Sequence, residues 1–227
     1  MSDARAQVLG AVRRALGRGP VEGEQAAAVD RRLADHPANL IPARTDRAPS
    51  AVVDLFVQMA EAVQTTVDRV ASADAVPAAV ADYLARHNLP TDIVMAPDPA
   101  LDAVPWRERP LLTIHRGRAR GDDAVSVTAA FAGIAETGTL MLTSDADHPS
   151  TLNFLPDTHV VVLRADQIVG PYEAAWNRLR ARGAGMPRTV NFVTGPSRTG
   201  DIEQKIQLGA HGPRRLHIVL IDPPGTP

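Results

Sequence analysis

Cysteine is absent from this chain of 227 residues. Its absence excludes disulfide bonds, thiol catalysis and iron–sulfur clusters ligated by this chain's own thiolates. Aromatic residues make up only 4% of the sequence and the formal net charge is −2, so neither base stacking nor basic charge favours nucleic-acid binding. No apolar run approaches the roughly 18 residues of a membrane-spanning helix. We therefore expect no nucleic-acid partner and no membrane span.

The N-terminal segment carries arginines at positions 5, 13, 14 and 18 but lacks the apolar stretch of a secretory signal. An arginine-rich amphipathic start is also found in mitochondrial presequences. Asp3 and the continuous helical pattern fit a docking helix better, and we expect a cytoplasmic protein.

Proline and glycine divide the chain into an arm and one larger domain. Residues 4–16 have the periodicity of a short helix. Four prolines between positions 20 and 49 predict an extended arm, with a helical patch at 25–34. We therefore predict an N-terminal helix and arm at 1–49 and one α/β domain at 50–227.

Short apolar segments alternate with helical patterns in the larger domain. This alternation is typical of a mainly parallel sheet with helices on both faces, where ligands lie beyond the carboxyl ends of the strands. Helices are predicted at 51–70, 76–86, 172–181 and 202–208, and strands at 92–95, 111–114, 125–129, 139–142, 159–163, 189–193 and 216–221.

A polar motif, A-G-I-A-E-T-G-T at residues 132–139, interrupts the apolar segments. Because an unpaired charge is costly to desolvate, Glu136 needs either a ligand or a hydrogen-bond network. Glu136 is a candidate catalytic acid, base or nucleophile, with Thr137 and Gly138 as ligand-binding neighbours. The alternative is a carboxylate that caps neighbouring backbone N–H groups.

A second motif, T-G-P-S-R-T-G-D-I-E at residues 194–203, follows a predicted strand and opens a predicted helix. Backbone N–H groups and the helix dipole favour an anion at such a junction. The spacing fits neither a P-loop nor a dinucleotide fingerprint. A capped helix start, with the arginine paired to a following carboxylate, is the alternative. The candidate anion-binding residues are Gly195, Ser197, Arg198, Thr199 and Asp201.

His211 is a further candidate catalytic residue, in the segment L-G-A-H-G-P at 208–213. Its flanking glycines indicate close backbone packing or an open site. No two histidines have the i, i+4 spacing of a helical zinc site. Only distant residues, His148, His159, His211 and Glu136, remain as ligands, so we predict no metal site.

Four ordered segments, at 133–139, 155–159, 194–203 and 208–213, resemble the LUD (lactate utilization) domain family, most of all its lactate utilization protein C group. The resemblance runs from about residue 50 to residue 221. It implies a three-layer α/β/α sandwich similar to ribose-5-phosphate isomerase, glucosamine-6-phosphate deaminase and coenzyme A transferases.

The resemblance also implies a role, with iron–sulfur partner proteins, in the oxidation of L-lactate to pyruvate. The clusters of that system belong to the partners, so no cofactor is expected in this chain, and a small carboxylate or phosphate is the expected ligand. Two other functions stay open. One is a self-sufficient isomerase or acyl-transferase-like enzyme that uses Glu136 and the loop at 195–199. The other is a non-catalytic binding module.

Overall fold

The computed structural model describes residues 2–17, 19–199 and 207–223. The chain forms two compact units, residues 1–40 and 41–227. In the first unit, helix α1 spans Ser2–Ala15 and helix α2 spans Gly23–Asp35, close to the two helical stretches predicted there. Within the described ranges, no helix has both the length and the apolar character needed to cross a membrane.

A six-stranded sheet forms the centre of the second unit, and all five of its neighbouring strand pairs are parallel. This confirms the predicted α/β architecture with a mainly parallel sheet. In spatial order the strands are β1 (Thr66–Val70), β12 (Arg215–Ile221), β7 (Thr158–Arg164), β4 (Val125–Ala129), β2 (Asp92–Met95) and β3 (Thr113–Arg116).

Apolar clusters cover both faces of this sheet, because successive residues of a strand point to opposite faces. On β7, Val160 and Val162 pack in the cluster that contains helix α4 (Val76–Arg86). Val161 of the same strand packs in the cluster that contains helix α3 (Pro49–Ala62). Two further helices are short. Helix α5 (Pro99–Asp102) follows β2, and helix α6 (Thr151–Phe154) precedes β7.

A second, four-stranded sheet lies on the α3 side. Its order is β8 (Ile168–Val169), β5 (Ala132–Ile134), β6 (Thr139–Thr143) and β9 (Val190–Val193). Helix α7 (Tyr172–Ala181) packs on this sheet through a small cluster of its own. The first polar motif therefore lies between β5 and β6, and the second follows β9.

The helix predicted at 51–70 is wrong over its last third, because strand β1 occupies those positions. Helix α3 ends at Ala62, and Gln64 has a φ of 68°, a left-handed conformation that does not continue a helix. The β-branched pair Thr65 and Thr66 then favours a strand.

The helix predicted at 202–208 falls mostly on residues 200–206, outside the described part of the chain. Gln207 and Leu208 form strand β11, which pairs antiparallel with strand β10 (Arg198–Thr199). These two residues are thus not helical. The strand predicted at 111–114 lies two residues later, and the short strands β5 and β8 escaped prediction because two or three residues show no periodicity.

Candidate functional site

The first motif turns from β5 into β6 directly against the last turn of α3. Gly138 has a φ of +66°, and a Cβ placed there would lie 2.2 Å from the backbone nitrogen of Ala60. Any larger residue would therefore clash with helix backbone that has no freedom to move aside. Gly138 is required by helix packing, and α3 fills the space over its Cα.

Glu136 is half-buried, and its carboxylate caps helix α7. The Oε2 atom accepts a hydrogen bond from the backbone N–H of Tyr172, the first residue of that helix, at 3.2 Å. The positive end of the helix dipole favours a carboxylate at this position. Arg44 donates to the Glu136 carbonyl oxygen at 2.8 Å. The carboxylate thus caps a backbone N–H, as in the alternative to catalysis, but this N–H belongs to a helix 36 residues away and not to neighbouring residues.

Four hydroxyl groups connect the two motifs. Thr139 is fully buried, and its Oγ1 lies 2.6 Å from Thr137 Oγ1, 2.6 Å from Thr194 Oγ1 and 2.9 Å from the Tyr172 hydroxyl. Thr137 Oγ1 also lies 2.9 Å from the Tyr172 hydroxyl. Thr194 begins the second motif, so this network brings the two motifs into contact where β6 begins and β9 ends.

The second motif meets the same end of α3 as the first. Gly195 has a φ of +74°, and a Cβ there would lie 2.5 Å from the carbonyl oxygen of Val63. Arg198 donates from Nη2 to that same oxygen at 2.9 Å. A glycine and an arginine together therefore cover the carboxyl end of the helix, where a cation interacts favourably with the helix dipole.

A cavity of about 270 Å³ lies beside the second motif and contains several predicted site residues: Gly195, Ser197, Arg198 and His211. The backbone N–H of His211 donates to Ser197 Oγ at 3.3 Å. The structure therefore brings His211, predicted from a separate segment, next to the loop at 195–198. A guanidinium, a hydroxyl and an imidazole around one small cavity are able to bind an anion and to exchange a proton with it.

The other predicted residues are placed differently. Glu136 is not among the residues that line this cavity, and Thr199 is buried in β10. Asp201 lies outside the described residues. The cavity is also lined by Pro213 and Leu216, at the amino end of β12. The loop follows β9 of the small sheet, so it does not lie at the carboxyl edge of the parallel sheet where we expected it.

Asp98, Asp145 and His148 form a charged cluster that the sequence did not predict, although His148 was among the distant residues considered as metal ligands. His148 Nδ1 lies 2.6 Å from Asp145 Oδ1, and His148 Nε2 lies 3.1 Å from Asp98 Oδ2. Asp98 also caps α5, since its Oδ1 accepts from the Ala100 N–H at 2.8 Å. The available signals were an aspartate between two prolines directly after a strand, and an aspartate three residues before a histidine.

Electrostatics hold this cluster in its charged form. The hydrogen bond to Asp98 raises the pKa of His148 to about 9, although burial acts in the opposite direction. Burial by itself raises the pKa of Asp98, but hydrogen bonds from His148 and the Ala100 N–H hold it below its ordinary value. At neutral pH His148 is therefore a cation held between two carboxylates.

The remaining buried histidines are structural. Burial lowers the pKa of His159 to about 3, and its Nε2 lies 2.8 Å from Thr128 Oγ1 in the sheet interior. Burial also lowers the pKa of His217 to about 4, and its ring stacks on Tyr83 at a centroid distance of 3.8 Å. Among the described residues, no group of three or more acidic and histidine side chains is arranged to hold a metal ion.

A cavity of about 650 Å³ lies near the carboxyl ends of β1 and β12. Its principal charges satisfy one another: Arg69 lies 2.6 Å from Asp54 and 3.5 Å from Asp222. These three charges therefore offset one another in part.

A solved structure shares the fold. The crystal structure of a DUF162 family protein from Deinococcus radiodurans has a TM-score of 0.60 and 24% sequence identity to this chain, and the match covers 77% of this chain and 98% of that one.

Sequence comparison finds shorter matches to curated proteins. An uncharacterized protein of Neisseria meningitidis serogroup B, NMB1437, is 38% identical over 96 residues, which is 42% of this chain and 41% of that protein. Lactate utilization protein C of Anoxybacillus flavithermus is 37% identical over 90 residues, 39% of this chain and 40% of that protein. The protein of the same name from Bacillus subtilis is 32% identical over 100 residues, 43% of this chain and 42% of that protein.

These alignments span only about two-fifths of the relatives' length. The family model reaches much further, because the LUD domain matches residues 53–221 and so contains both polar motifs, the charged cluster and the whole parallel sheet. The chain belongs to the LUD domain family.

Proposed function

We propose that this chain is a cytoplasmic subunit of an L-lactate utilization system, in which it supports the oxidation of L-lactate to pyruvate together with iron–sulfur partner proteins. The observation that carries the proposal is the match of the LUD domain over residues 53–221. Relatives named lactate utilization protein C in Anoxybacillus flavithermus and Bacillus subtilis support it further.

Electron balance decides which protein of the proposed system holds the electron acceptor. Oxidation of lactate to pyruvate releases two electrons and two protons, and an acceptor must take the electrons. This chain has no cysteine with which to ligate a cluster and no dinucleotide fingerprint. The proposal therefore assigns the acceptor to the partner proteins and assigns substrate binding or partner organisation to this chain.

Within the chain, the proposal assigns an anionic ligand to the cavity beside the second motif. Ser197 and Arg198 would hold a carboxylate, and His211 would donate or accept a proton beside it. Glu136 stays a candidate catalytic residue. Its carboxylate also caps helix α7, so a loss of function on mutation has to be separated from a loss of that cap.

Genetic complementation tests the proposal. The chain is expressed in a Bacillus subtilis strain that lacks its own lactate utilization protein C, and growth is measured with L-lactate or with glucose as the carbon source. We expect restored growth on L-lactate and unchanged growth on glucose. Failure to restore growth by a chain that is present as folded protein would count against the proposal.

Reconstitution tests the division of labour. The purified chain alone is expected to be inactive toward L-lactate, and addition of the iron–sulfur partners is expected to produce turnover. In that assembly Arg198→Ala should raise the apparent KM for lactate about tenfold or more, the usual effect of losing a charged hydrogen bond. Turnover by the chain alone would contradict the subunit proposal.

A further inference from the structure

The N-terminal unit, residues 1–40, presents its apolar side chains to solvent. Thirteen large apolar side chains of the described residues are exposed, and eight of them lie in this unit, although it has only 40 of the 227 residues. These eight are Val8, Leu9, Val12, Leu16, Val21, Val29, Leu33 and Leu40. The unit also lies outside residues 53–221, the part of the chain that matches the LUD domain. Exposed apolar residues concentrated in a separate unit indicate an interaction surface.

Both helices of this unit have an apolar stripe. On α1 the stripe spans an arc of about 100° and consists of Val8, Leu9, Val12 and Leu16, whose N–H still donates to the Val12 carbonyl oxygen. On α2 the corresponding pair, at positions 29 and 33, is one turn apart. Within the described part of the unit the two helices do not pack along each other. Isolated helices of this length are marginal in water, so their stripes need a partner.

The charges of the two helices are complementary. Three arginines and one aspartate give α1 a net charge of +2, whereas three acidic residues and two arginines give α2 a net charge of −1. Arg13 directly follows the apolar Val12, and Asp30 directly follows the apolar Val29, so each charge lies at one flank of its stripe. Within the described ranges, no salt bridge involves a charged side chain of either helix. Each helix therefore carries charges that the other would neutralise.

We propose that α1 packs antiparallel against α2 of a second copy of this chain, and that the two copies exchange these contacts symmetrically. The antiparallel register that places Val8 beside Leu33 also places Val12 beside Val29, since the members of each stripe are four residues apart. The same register brings the charges at positions 13 and 30 within one turn of each other, on the same side of the apolar seam. In a parallel pair the two charges would lie on opposite sides.

A second copy accounts for both helices better than other occupants do. The apolar arc of α1 is wider than the seam of a two-helix pair, and it suits an assembly of four helices, two from each copy. An anionic lipid surface would attract the basic α1 but not the acidic α2, and would leave the α2 stripe exposed. No residue of the proposed lactate site takes part in this pairing, so its failure leaves the proposed function standing.

Sedimentation equilibrium of the full chain tests for the second copy. We expect a dimer at micromolar concentration, and Leu33→Glu should raise its dissociation constant about tenfold or more, because a charge then enters the apolar seam. Leu111→Glu is the matched control, since Leu111 is 82% exposed in the second unit and Leu33 is 67% exposed in the first. This control should leave the dissociation constant unchanged. A monomeric chain, or a dimer that Leu33→Glu does not weaken, would overturn the inference.

An exchange of charges tests which helices pair. Arg13→Glu and Asp30→Lys should each weaken self-association about tenfold, because each puts like charges side by side at both symmetric contacts. An equimolar mixture of the two variants should associate about as strongly as the wild type, since every contact of the mixed dimer again joins opposite charges. A mixture that associates no better than the separate variants would overturn the pairing. Binding of a monomeric chain to phosphatidylglycerol vesicles would also overturn it and would identify a lipid surface as the occupant.

Discussion

Two cavities of similar size lie at different ends of the chain's strands, and they are built in different ways. The cavity beside Ser197 and Arg198 is lined mainly by the loop at 192–198 and by residues 211–213 at the amino end of β12. The cavity beside Asp98 and Arg182, of about 330 Å³, lies at the carboxyl ends of β2 and β4, and its residues are spread over more than eighty positions of the sequence.

The two regions also differ in what fixes them. Backbone contacts fix the first, since Gly138 and Gly195 leave no space for a Cβ against α3. Side-chain charges fix the second, where His148 is held between Asp98 and Asp145. A dense glycine-rich motif therefore indicates a packing requirement at least as strongly as it indicates chemistry, and a cavity lined by charged groups can be assembled without any motif.

The largest effect is expected at Gly138 in the first region. In Gly138→Ala the new Cβ would lie 2.2 Å from the Ala60 nitrogen and would also hold an unfavourable φ of +66°. We expect a loss of about 3 kcal/mol or more in the free energy of unfolding, or no folded protein. Urea denaturation followed by circular dichroism measures it.

Gly183 offers a matched control for this substitution. Its φ is +67°, but nothing lies within 4 Å of the position that a Cβ would take. Gly183→Ala should therefore lose only the backbone term, about 1 kcal/mol. Equal losses in the two variants would show that contact with α3 does not constrain Gly138.

The fold was predictable where the sequence pattern is long and regular. The apolar segments around β7 and β12 and the helix at Val76–Arg86 predicted the parallel architecture. The pattern failed at Thr66–Val70, because valines at spacings of three and four also fit a short half-buried strand. This segment forms a strand because it pairs with β12, 151 residues later in the chain, and no local sequence pattern indicates such a partner.

The second-largest effect is expected at His148 in the other region. His148→Gln removes the cation between two carboxylates and leaves the buried Asp98 without its charged partner. Because the His148 side chain is 31% exposed, we expect a loss of about 2 kcal/mol at neutral pH, below the range of a fully buried pair.

The pH dependence sharpens this prediction. The pKa of His148 is about 9 in the folded protein and near 6.5 in the unfolded chain. The stabilisation is therefore fully present below pH 6.5 and declines as the pH rises through about 9, because the folded state then gives up its extra proton. The stability difference between wild type and His148→Gln should shrink across that window. A difference independent of pH would show that His148 acts by packing alone.

A smaller effect is expected at Thr139, where the two motifs meet. Thr139→Val keeps the shape of the side chain but removes the hydroxyl shared by Thr137, Thr194 and Tyr172. We expect a loss of about 1–2 kcal/mol, since several buried groups lose a partner. Thr194→Val is the control, because it removes one of these contacts and leaves the others, so it should cost less. A larger loss in Thr194→Val would place the centre of the network elsewhere.

The candidate site was only partly predictable. Four residues predicted from two separate segments, Gly195, Ser197, Arg198 and His211, do line one cavity, because their loops pack against each other. The cluster at Asp98 and His148 was not predicted, because Asp98 lies 50 residues before His148 in the sequence. Only the tertiary fold brings them within hydrogen-bonding distance.

The smallest effect on stability is expected at Glu136, and it separates structure from chemistry in the first region. In Glu136→Gln the amide oxygen can still accept from the Tyr172 N–H, so the cap of α7 is retained and only the charge is lost. We expect a stability change below about 0.5 kcal/mol, the size of a screened helix-dipole contribution.

Complementation of growth on L-lactate provides the second readout for Glu136→Gln. If the variant is stable but growth is lost, the carboxylate takes part in function beyond capping. Normal growth with normal stability would show that Glu136 serves the fold alone, and the search for the reacting groups would then move to His211.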